Sequence, residues 1–378
     1  MLLNAEMFSF FNEVLPRIQL VEGPADDGET AAVINECFDH FKSPKHDAID
    51  FVGFEVMLKQ LFVEGETGKP FHAPKSWSVE YFEKFDTMQD NLIDRKEFTD
   101  MWLKWIQFIL KPRSALIIVD VQNDFISGSL AIHHCPAGHR GEEVVPVINR
   151  LIESIPFELV VYSFDWHPSD HISFYENYNK RKIIHSDGTA LNHDELGEIK
   201  PLEVVTFEGP PLTEQKLWNK HCVQDTWGSQ LHPDLLVREY QSLNVYKGTN
   251  SVIDSYSAFW DNGKLSETSL NTDLTSRGIT DVFVCGIAYD YCVGSTALHG
   301  NEYGFKTTLI EDASRGVDGK TITEMKKKLI NDNAAVVHSD RILAMVRGEE
   351  RRPEHGYHLC HFMRESSDSL PASNNREA

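Results

Sequence analysis

Two cysteines seven residues apart stand in the run VFVCGIAYDYCVG, from Val282 to Gly294, and their surroundings differ. Cys285 lies inside an apolar stretch that reads as a buried strand, where a thiol behaves as a small hydrophobe and its pKa rises. Cys292 follows the end of that strand at Gly286-Ile-Ala and opens the helical pattern through Thr296 and Leu298, so a helix N-terminus would favour its thiolate. Taken alone, it reads equally well as a cysteine packed under a loop. Two more chemical groups end strands of the same kind: Asp120 in ALIIVDVQNDF and Lys247 in LNVYKG. An acid, an amine and a thiol at three strand ends make a Cys-Lys-Asp centre, in which Lys247 favours the thiolate and Asp120 carries the proton. By itself, Asp120 reads as a loop cap and Lys247 as a solvated strand end.

A second cluster sets the Asp165 carboxylate beside two imidazoles within seven residues, Asp165-Trp-His167-Pro-Ser-Asp-His171, and His221 follows in WNKHCV. Three nitrogens and one oxygen suit Zn²⁺, or Fe²⁺ or Mn²⁺ where waters complete an octahedron. The chain has 17 histidines, so the spacing, not any one imidazole, singles these out.

The motifs VDVQNDF, DWHPSDH, HCV, YKG and CGIAYDYCV occur in that order, and together they resemble the nicotinamidases of the isochorismatase-like cysteine hydrolase family over about residues 113–341. The resemblance implies Cys292 as nucleophile, Asp120 as acid, Lys247 as the lysine, and Asp165, His167, His171 and His221 as ligands of one divalent metal. It further implies a cis peptide between Ile287 and Ala288 that turns the backbone amides of Ala288 and Cys292 into an oxyanion hole. Phe125, Trp218 and Tyr256 match aromatic positions that line the family's ring pocket. The loop after Lys247 is longer than in compact bacterial relatives, and the long segment between His171 and His221 leaves the lid over that pocket unspecified. The implied reaction hydrolyses nicotinamide to nicotinate and ammonia through a thioester, within NAD salvage, with pyrazinamide as a side substrate and the metal holding the pyridine nitrogen. Two alternatives stand beside it. One is an amidase of the same superfamily acting on carbamoyl or ureido compounds; the other is a calcium-responsive interaction protein with a vestigial hydrolase domain. The DWHxxxH cluster argues against the first alternative, and the complete set of chemical residues against the second.

Those residues need strand ends to carry them. From Ala115 onward, short β-branched runs (ALIIVDV, LVVYSF, LNVYKG, DVFVCGIA, TTLIEDA, AAVVHS) alternate with helical patterns such as EEVVPVINRLIESI and ITEMKKKLINDN. That alternation predicts a three-layer α/β/α fold with a mainly parallel sheet over residues 113–347. Residues 1–112 read as a small, all-α, EF-hand-like domain, with apolar residues recurring near the helical period around Thr30 to Phe41, Phe51 to Val63, Val79 to Phe85 and Lys96 to Leu110. Its segment DTMQDNLIDRKE places Asp86, Asp90, Asp94 and Glu97 at calcium-ligand positions, with Leu92 offering its carbonyl; Met88 and Asn91 depart from the pattern. The corresponding upstream loop starts with Lys42 and ends with Gly53, and so reads as a silent partner. Residues 348–378 are polar and aperiodic, the mark of a mobile tail.

The bulk composition bounds the rest. At 378 residues the chain has room for a large domain and a small one, and its formal charge of −22 disfavours nucleic acid and anionic membranes as partners. Six cysteines without CxxC pairs fit a reduced, cytoplasmic setting, with the nucleus also compatible. Neither a basic leader nor an apolar run of about 20 residues is present to target or span a membrane. A small-molecule substrate is the partner expected, and nothing here excludes a homo-oligomer.

Overall fold

The computed structural model describes residues 9–19, 28–65, 67–191, 199–209 and 212–368. The chain begins with helices α1 (Phe10–Gln19) and α2 (Gly28–Phe41), strand β1 (Ile49–Asp50), helices α3 (Phe51–Leu61) and α4 (Lys75–Phe85), and strand β2 (Leu92–Ile93). Helix α5 (Arg95–Met101) then runs through a π-helical turn, Trp102–Ile106, into α6 (Gln107–Leu110). β1 and β2 pair antiparallel with Ile49 opposite Ile93, which joins two helix-loop-helix units through their loops. Asp50 caps α3 by accepting from the Gly53 amide, and Asp94 with Glu97 forms a capping box on α5. Phe38, Phe54, Met57, Phe98, Trp102 and Trp105 close the core between these helices.

From β3 (Ser114–Val119) the alternation of strands and helices sets in. It continues through α7 (Asn123–Ile126), α8 (Val144–Ser154), β4 (Leu159–Asp165), a small antiparallel sheet of β5 (Ile183–Ile184), β6 (Val204–Phe207) and β7 (Thr213–Lys216), then β8 (Ser242–Lys247) and α9 (Leu270–Ser276). The remaining elements are β9 (Asp281–Ile287), α10 (Gly294–Glu302), β10 (Lys306–Arg315), α11 (Gly319–Asn331), β11 (Ala335–Val337), α12 (Ile342–Val346) and α13 (Pro353–Asp368). The main sheet has the order β11-β10-β9-β3-β4-β8, with every neighbouring pair parallel. Strands β3, β4 and β9 are buried along their whole length, which is why they read as unbroken apolar runs and not as alternating ones. Two apolar layers sandwich the sheet. Val144, Val145, Ile148, Leu151 and Ile152 of α8 cover one face; Leu270 and Leu274 of α9 and Ala297 of α10 cover the other. Successive strands β3, β4 and β8 build outward in one direction and β9, β10 and β11 in the other, so the switch in direction falls between β3 and β9. Open parallel sheets bind ligands beyond the carboxyl ends of the strands at such a point.

The expected mobile tail is corrected over residues 348–368; residues 369–378 lie outside the described residues. Pro353 begins a helix, as proline favours the first helical position, and Tyr357, Leu359, Cys360 and Met363 pack on the amino-terminal core. Tyr357 stacks on Trp77 with ring centroids 4.2 Å apart, and Trp105 Nε1 donates to the Gly356 carbonyl at 2.9 Å. Arg351, buried, donates to the carbonyls of Leu61 (2.6 Å) and Gln60 (3.2 Å) and, among the described residues, has no carboxylate partner. On its other side, α13 turns His355 Nε2 onto the Thr307 carbonyl of β10 at 3.1 Å. The apolar residues of this segment are diluted by histidines and acids, which hid its amphipathic face. Among the described residues, all six cysteines are free and buried, and no helix is long and apolar enough to cross a membrane.

Candidate active site

Four strand ends converge at the switch in the sheet. After β3, Asp120 takes a left-handed backbone, φ 50°, a conformation open to short polar side chains. Beside it β9 passes Gly286 at φ 118°, where a Cβ would come 2.1 Å from the Val119 carbonyl oxygen, so only glycine lets the two central strands approach this closely. The peptide joining Ile287 to Ala288 is cis. Tyr289–Val293 then forms a π-helical turn that carries Cys292 and leads directly into α10. On the other side β4 and β8 pair with Asp165 opposite Lys247, which sets a carboxylate beside an ammonium.

Lys247 is the hub. Its Nζ lies 2.8 Å from Asp120 Oδ2 and 3.4 Å from Cys292 Sγ, donates to the Ser255 carbonyl at 3.0 Å, and makes a close ion pair with Asp165 Oδ1. Asp120, Asp165 and Cys292 each present an atom within 4.8 Å of the other two. Burial pushes the Cys292 thiol well above its ordinary value; Lys247 pulls it down, while Asp120 and Asp165 add to the rise. Burial also raises the Asp120 carboxyl against the pull of Lys247. Burial disfavours the charge on Lys247 itself, but Asp120 and Asp165 outweigh that and hold it protonated. On this thiol burial dominates, and the Lys247 ammonium is the main influence that opposes it. Cys285 is wholly enclosed and its pKa is raised by burial, away from these charges.

Asp165 Oδ2 lies 3.4 Å from His167 Nε2 and 3.6 Å from His221 Nε2. His167 Nδ1 donates to the Gly248 carbonyl at 2.8 Å and His221 Nδ1 to the Asn219 carbonyl at 2.7 Å, which leaves both Nε2 lone pairs facing the carboxylate. Gly248, at φ 64°, allows this because a Cβ there would strike the His167 ring at 2.3 Å. Ligand atoms at these separations can share one divalent ion at ordinary bond lengths, and backbone carbonyls fixing the imidazoles are the usual support for such ligands. His171 departs from the expected ligand set. It stacks on His167 with centroids 4.0 Å apart, but its Nδ1 meets Ser173 Oγ at 2.8 Å and its Nε2 meets the Ile253 carbonyl at 3.3 Å. It falls instead in a neighbouring group with His167 and Asp254. Burial pushes its pKa down to about 3.

Phe125, Trp218 and Tyr256 line one cavity with Asp165, His221, Asp254, Ala288, Tyr291 and Cys292, and its free volume is about 30 Å³. Sequence reasoning missed several supporting groups. Ser163 Oγ donates to Asp120 Oδ1 at 2.5 Å, and Gln122 clamps the Asp165 backbone by donating to its carbonyl at 2.8 Å and accepting from its amide at 2.9 Å. Asp254 accepts from Gln215 Nε2 at 2.9 Å, a buried link from β7 into the cavity wall. Gln122 lies within the motif VDVQNDF, but no spacing signal marks Ser163 or Asp254.

The expected calcium ligands do not converge. Asp86 accepts from the amides of Asp90 and Asn91, and Asp90 from that of Leu92. Asp94 accepts from the Glu97 amide, and Glu97 accepts from Met88, Asp94 and Thr87. Among the described residues, none of these acids belongs to a group of clustered ligand atoms, because the loop's own backbone takes up their carboxylates.

A parallel sheet with a thiol, an ammonium and a carboxyl group at its switch point, beside a metal-ready Asp-His-His set, defines a hydrolytic α/β enzyme. The isochorismatase domain model matches residues 114–340, and the chain belongs to the isochorismatase family. The enzyme is an amidohydrolase: the chain is 38% identical to the Escherichia coli nicotinamidase over 210 residues, 55% of this chain and 85% of that one. It is 35% identical to the Schizosaccharomyces pombe nicotinamidase over 236 residues, 62% of this chain and 97% of that one. Among solved structures it resembles a nicotinamidase/pyrazinamidase from Acinetobacter baumanii at 35% identity and a TM-score of 0.51, covering 61% of this chain and 98% of that one. The yeast nicotinamidase bound to the inhibitor nicotinaldehyde matches at 34% identity and a TM-score of 0.50, covering 60% and 99%.

Proposed function

We propose that the protein is a nicotinamidase, hydrolysing nicotinamide to nicotinate and ammonia in NAD salvage, with pyrazinamide as a further substrate. The observation that carries this is the meeting of Asp120, Lys247 and Cys292 from three separate strands in one buried contact set, in a chain so similar to curated nicotinamidases. Asp120 takes the Cys292 proton and the sulfur attacks the carboxamide carbon, with the amides of Ala288 and Cys292 turned toward the developing oxyanion. The C–N bond breaks as Asp120 passes the proton to the leaving ammonia. Water, activated by the same carboxylate, then opens the thioester to nicotinate and restores the thiol. Lys247 stays charged throughout and favours the sulfur anion against burial.

Asp165, His167 and His221 would hold a divalent ion, zinc by donor type and iron or manganese where water completes the shell. When bound, that ion supplies a Lewis-acid contact for the pyridine nitrogen and so orients the ring. Phe125, Trp218 and Tyr256 flank the ring. Ammonia release from nicotinamide by the purified, metal-loaded protein tests the reading. Turnover lost in Cys292→Ala supports it, and no ammonia from the wild type overturns it.

A further inference from the structure

Hydrolysis of a neutral carboxamide creates an acid, so a charge at the pocket mouth treats substrate and product differently. Lys216, the last residue of β7, places an ammonium against two aromatic rings of the pocket wall. Its Nζ donates to Tyr291 Oη at 2.8 Å and lies 5.3 Å from the ring centres of both Trp218 and Tyr291. Both rings line the cavity and meet edge to face at 4.9 Å, and Tyr291 precedes Cys292 in the chain. The influence of Lys216 also reaches the thiol of Cys135, another wall residue, whose pKa burial raises and Lys216 lowers.

What distinguishes Lys216 is its lack of a counter-charge. Lys247 is compensated by Asp120 and Asp165. Asp290, beside Tyr291 in the chain, is already held by the Val317 and Asp318 amides and Thr321 Oγ1, at 2.9, 3.0 and 2.5 Å, and Asp254 of the cavity wall accepts from Gln215 Nε2 at 2.9 Å. Among the described residues, Lys216 has no ion-pair partner; a phenol oxygen and two ring faces hold it, and it remains partly open to solvent. Aromatic faces position an ammonium without neutralising it, so its field stays available to an anion at the mouth.

We propose that Lys216 is a specificity-determining residue that binds the carboxylate of the acid product, and of other anionic ring acids, at the pocket mouth. This rests on the reading that the reaction turns a ring carboxamide into its acid. It makes the enzyme more sensitive to its product than the shape of the pocket alone would. The neutral substrate, which has the same ring, gains little from the same charge.

The test measures ammonia release from nicotinamide by the metal-loaded holoenzyme with nicotinate added, for wild type, Lys216→Met, Lys216→Gln and Lys216→Arg. The inhibition constant for nicotinate should rise relative to KM for nicotinamide by about fivefold or more in the Met and Gln variants and by less than about twofold in the Arg variant. Added salt should weaken nicotinate inhibition of the wild type and leave that of the Met variant flat. Should the Met variant fail to fold, the Gln variant carries the comparison. Equal rises in the two constants would show a latch that holds the mouth together, and no change in either would show a spectator; both outcomes overturn the inference while leaving the nicotinamidase reading intact. A wild type that releases no ammonia removes that reading, and this inference with it.

Discussion

The ammonium of Lys247 stands 3.4 Å from the sulfur of Cys292, and both side chains are buried. An ammonium so placed is the main influence working against burial on that thiol. It is itself fixed between two carboxylates, so it cannot swing away as the reaction proceeds.

Lys247→Ala should slow iodoacetamide alkylation of Cys292 near neutral pH by about tenfold or more, one pKa unit of thiolate population being a factor of ten. Mass spectrometry of the alkylated peptide reads this, with circular dichroism to confirm the fold. An unchanged alkylation rate would remove Lys247 from that role. Cys292→Ala should abolish turnover and Cys285→Ala should retain it, since Cys285 is enclosed in β9; equal loss in two folded variants would contradict the division of roles.

Benzamide has the scissile group of nicotinamide but no ring nitrogen. If an ion on Asp165, His167 and His221 anchors that nitrogen, kcat/KM for benzamide should lie about 10²-fold or more below that for nicotinamide. Pyrazinamide should remain a substrate. Stripping the ion with a chelator should then erase most of the preference, with circular dichroism confirming the fold. Equal hydrolysis of the two amides by the loaded enzyme would sink the anchoring role.

His355 is buried at the joint between α13 and β10. Burial, with Lys306 and Arg352 nearby, pushes its pKa well below 6.5. The unfolded chain therefore binds the proton first as pH falls. Stability is complete above about pH 6.5 and declines below it, by up to about 1.4 kcal/mol per pH unit for this one group. Denaturant melts at pH 7.5 and 5.5 should show this decline, and His355→Gln should lessen it. An identical pH dependence in the variant would show that the group does not titrate on unfolding.

Calcium should bind the Asp86–Glu97 loop at one site at best, with Kd on the order of 10⁻⁵ M or weaker, because each acid must first leave the loop's backbone. Calorimetry with submicromolar affinity or two sites would contradict this. Glu97→Gln should abolish whatever binding is seen.

The strands that carry the chemistry were legible because burial on both faces writes them as β-branched runs, and their ends locate Asp120, Lys247 and Cys292 without any knowledge of pairing. Direction of a side chain was not legible. His171 has the spacing of a ligand, yet Ser173 and the Ile253 carbonyl turn it aside, and neither partner is implied by the spacing. The sheet of β5, β6 and β7 escaped because its strands are short and β7, TEQK, is wholly polar. Helix α13 was missed because it buries its apolar face against elements distant in sequence, so local polarity misstates its environment.

Helix α13 has a consequence for the order in which the chain is made. The amino-terminal helices leave the ribosome first, but the groove around Trp77, Tyr81 and Trp105 is completed by residues near the other end of the chain. At ordinary elongation rates that groove waits roughly ten to fifty seconds for its cover. During this interval its aromatic wall stands open to chaperones or to the wrong partner, and a message cut short before codon 353 would leave it so for good.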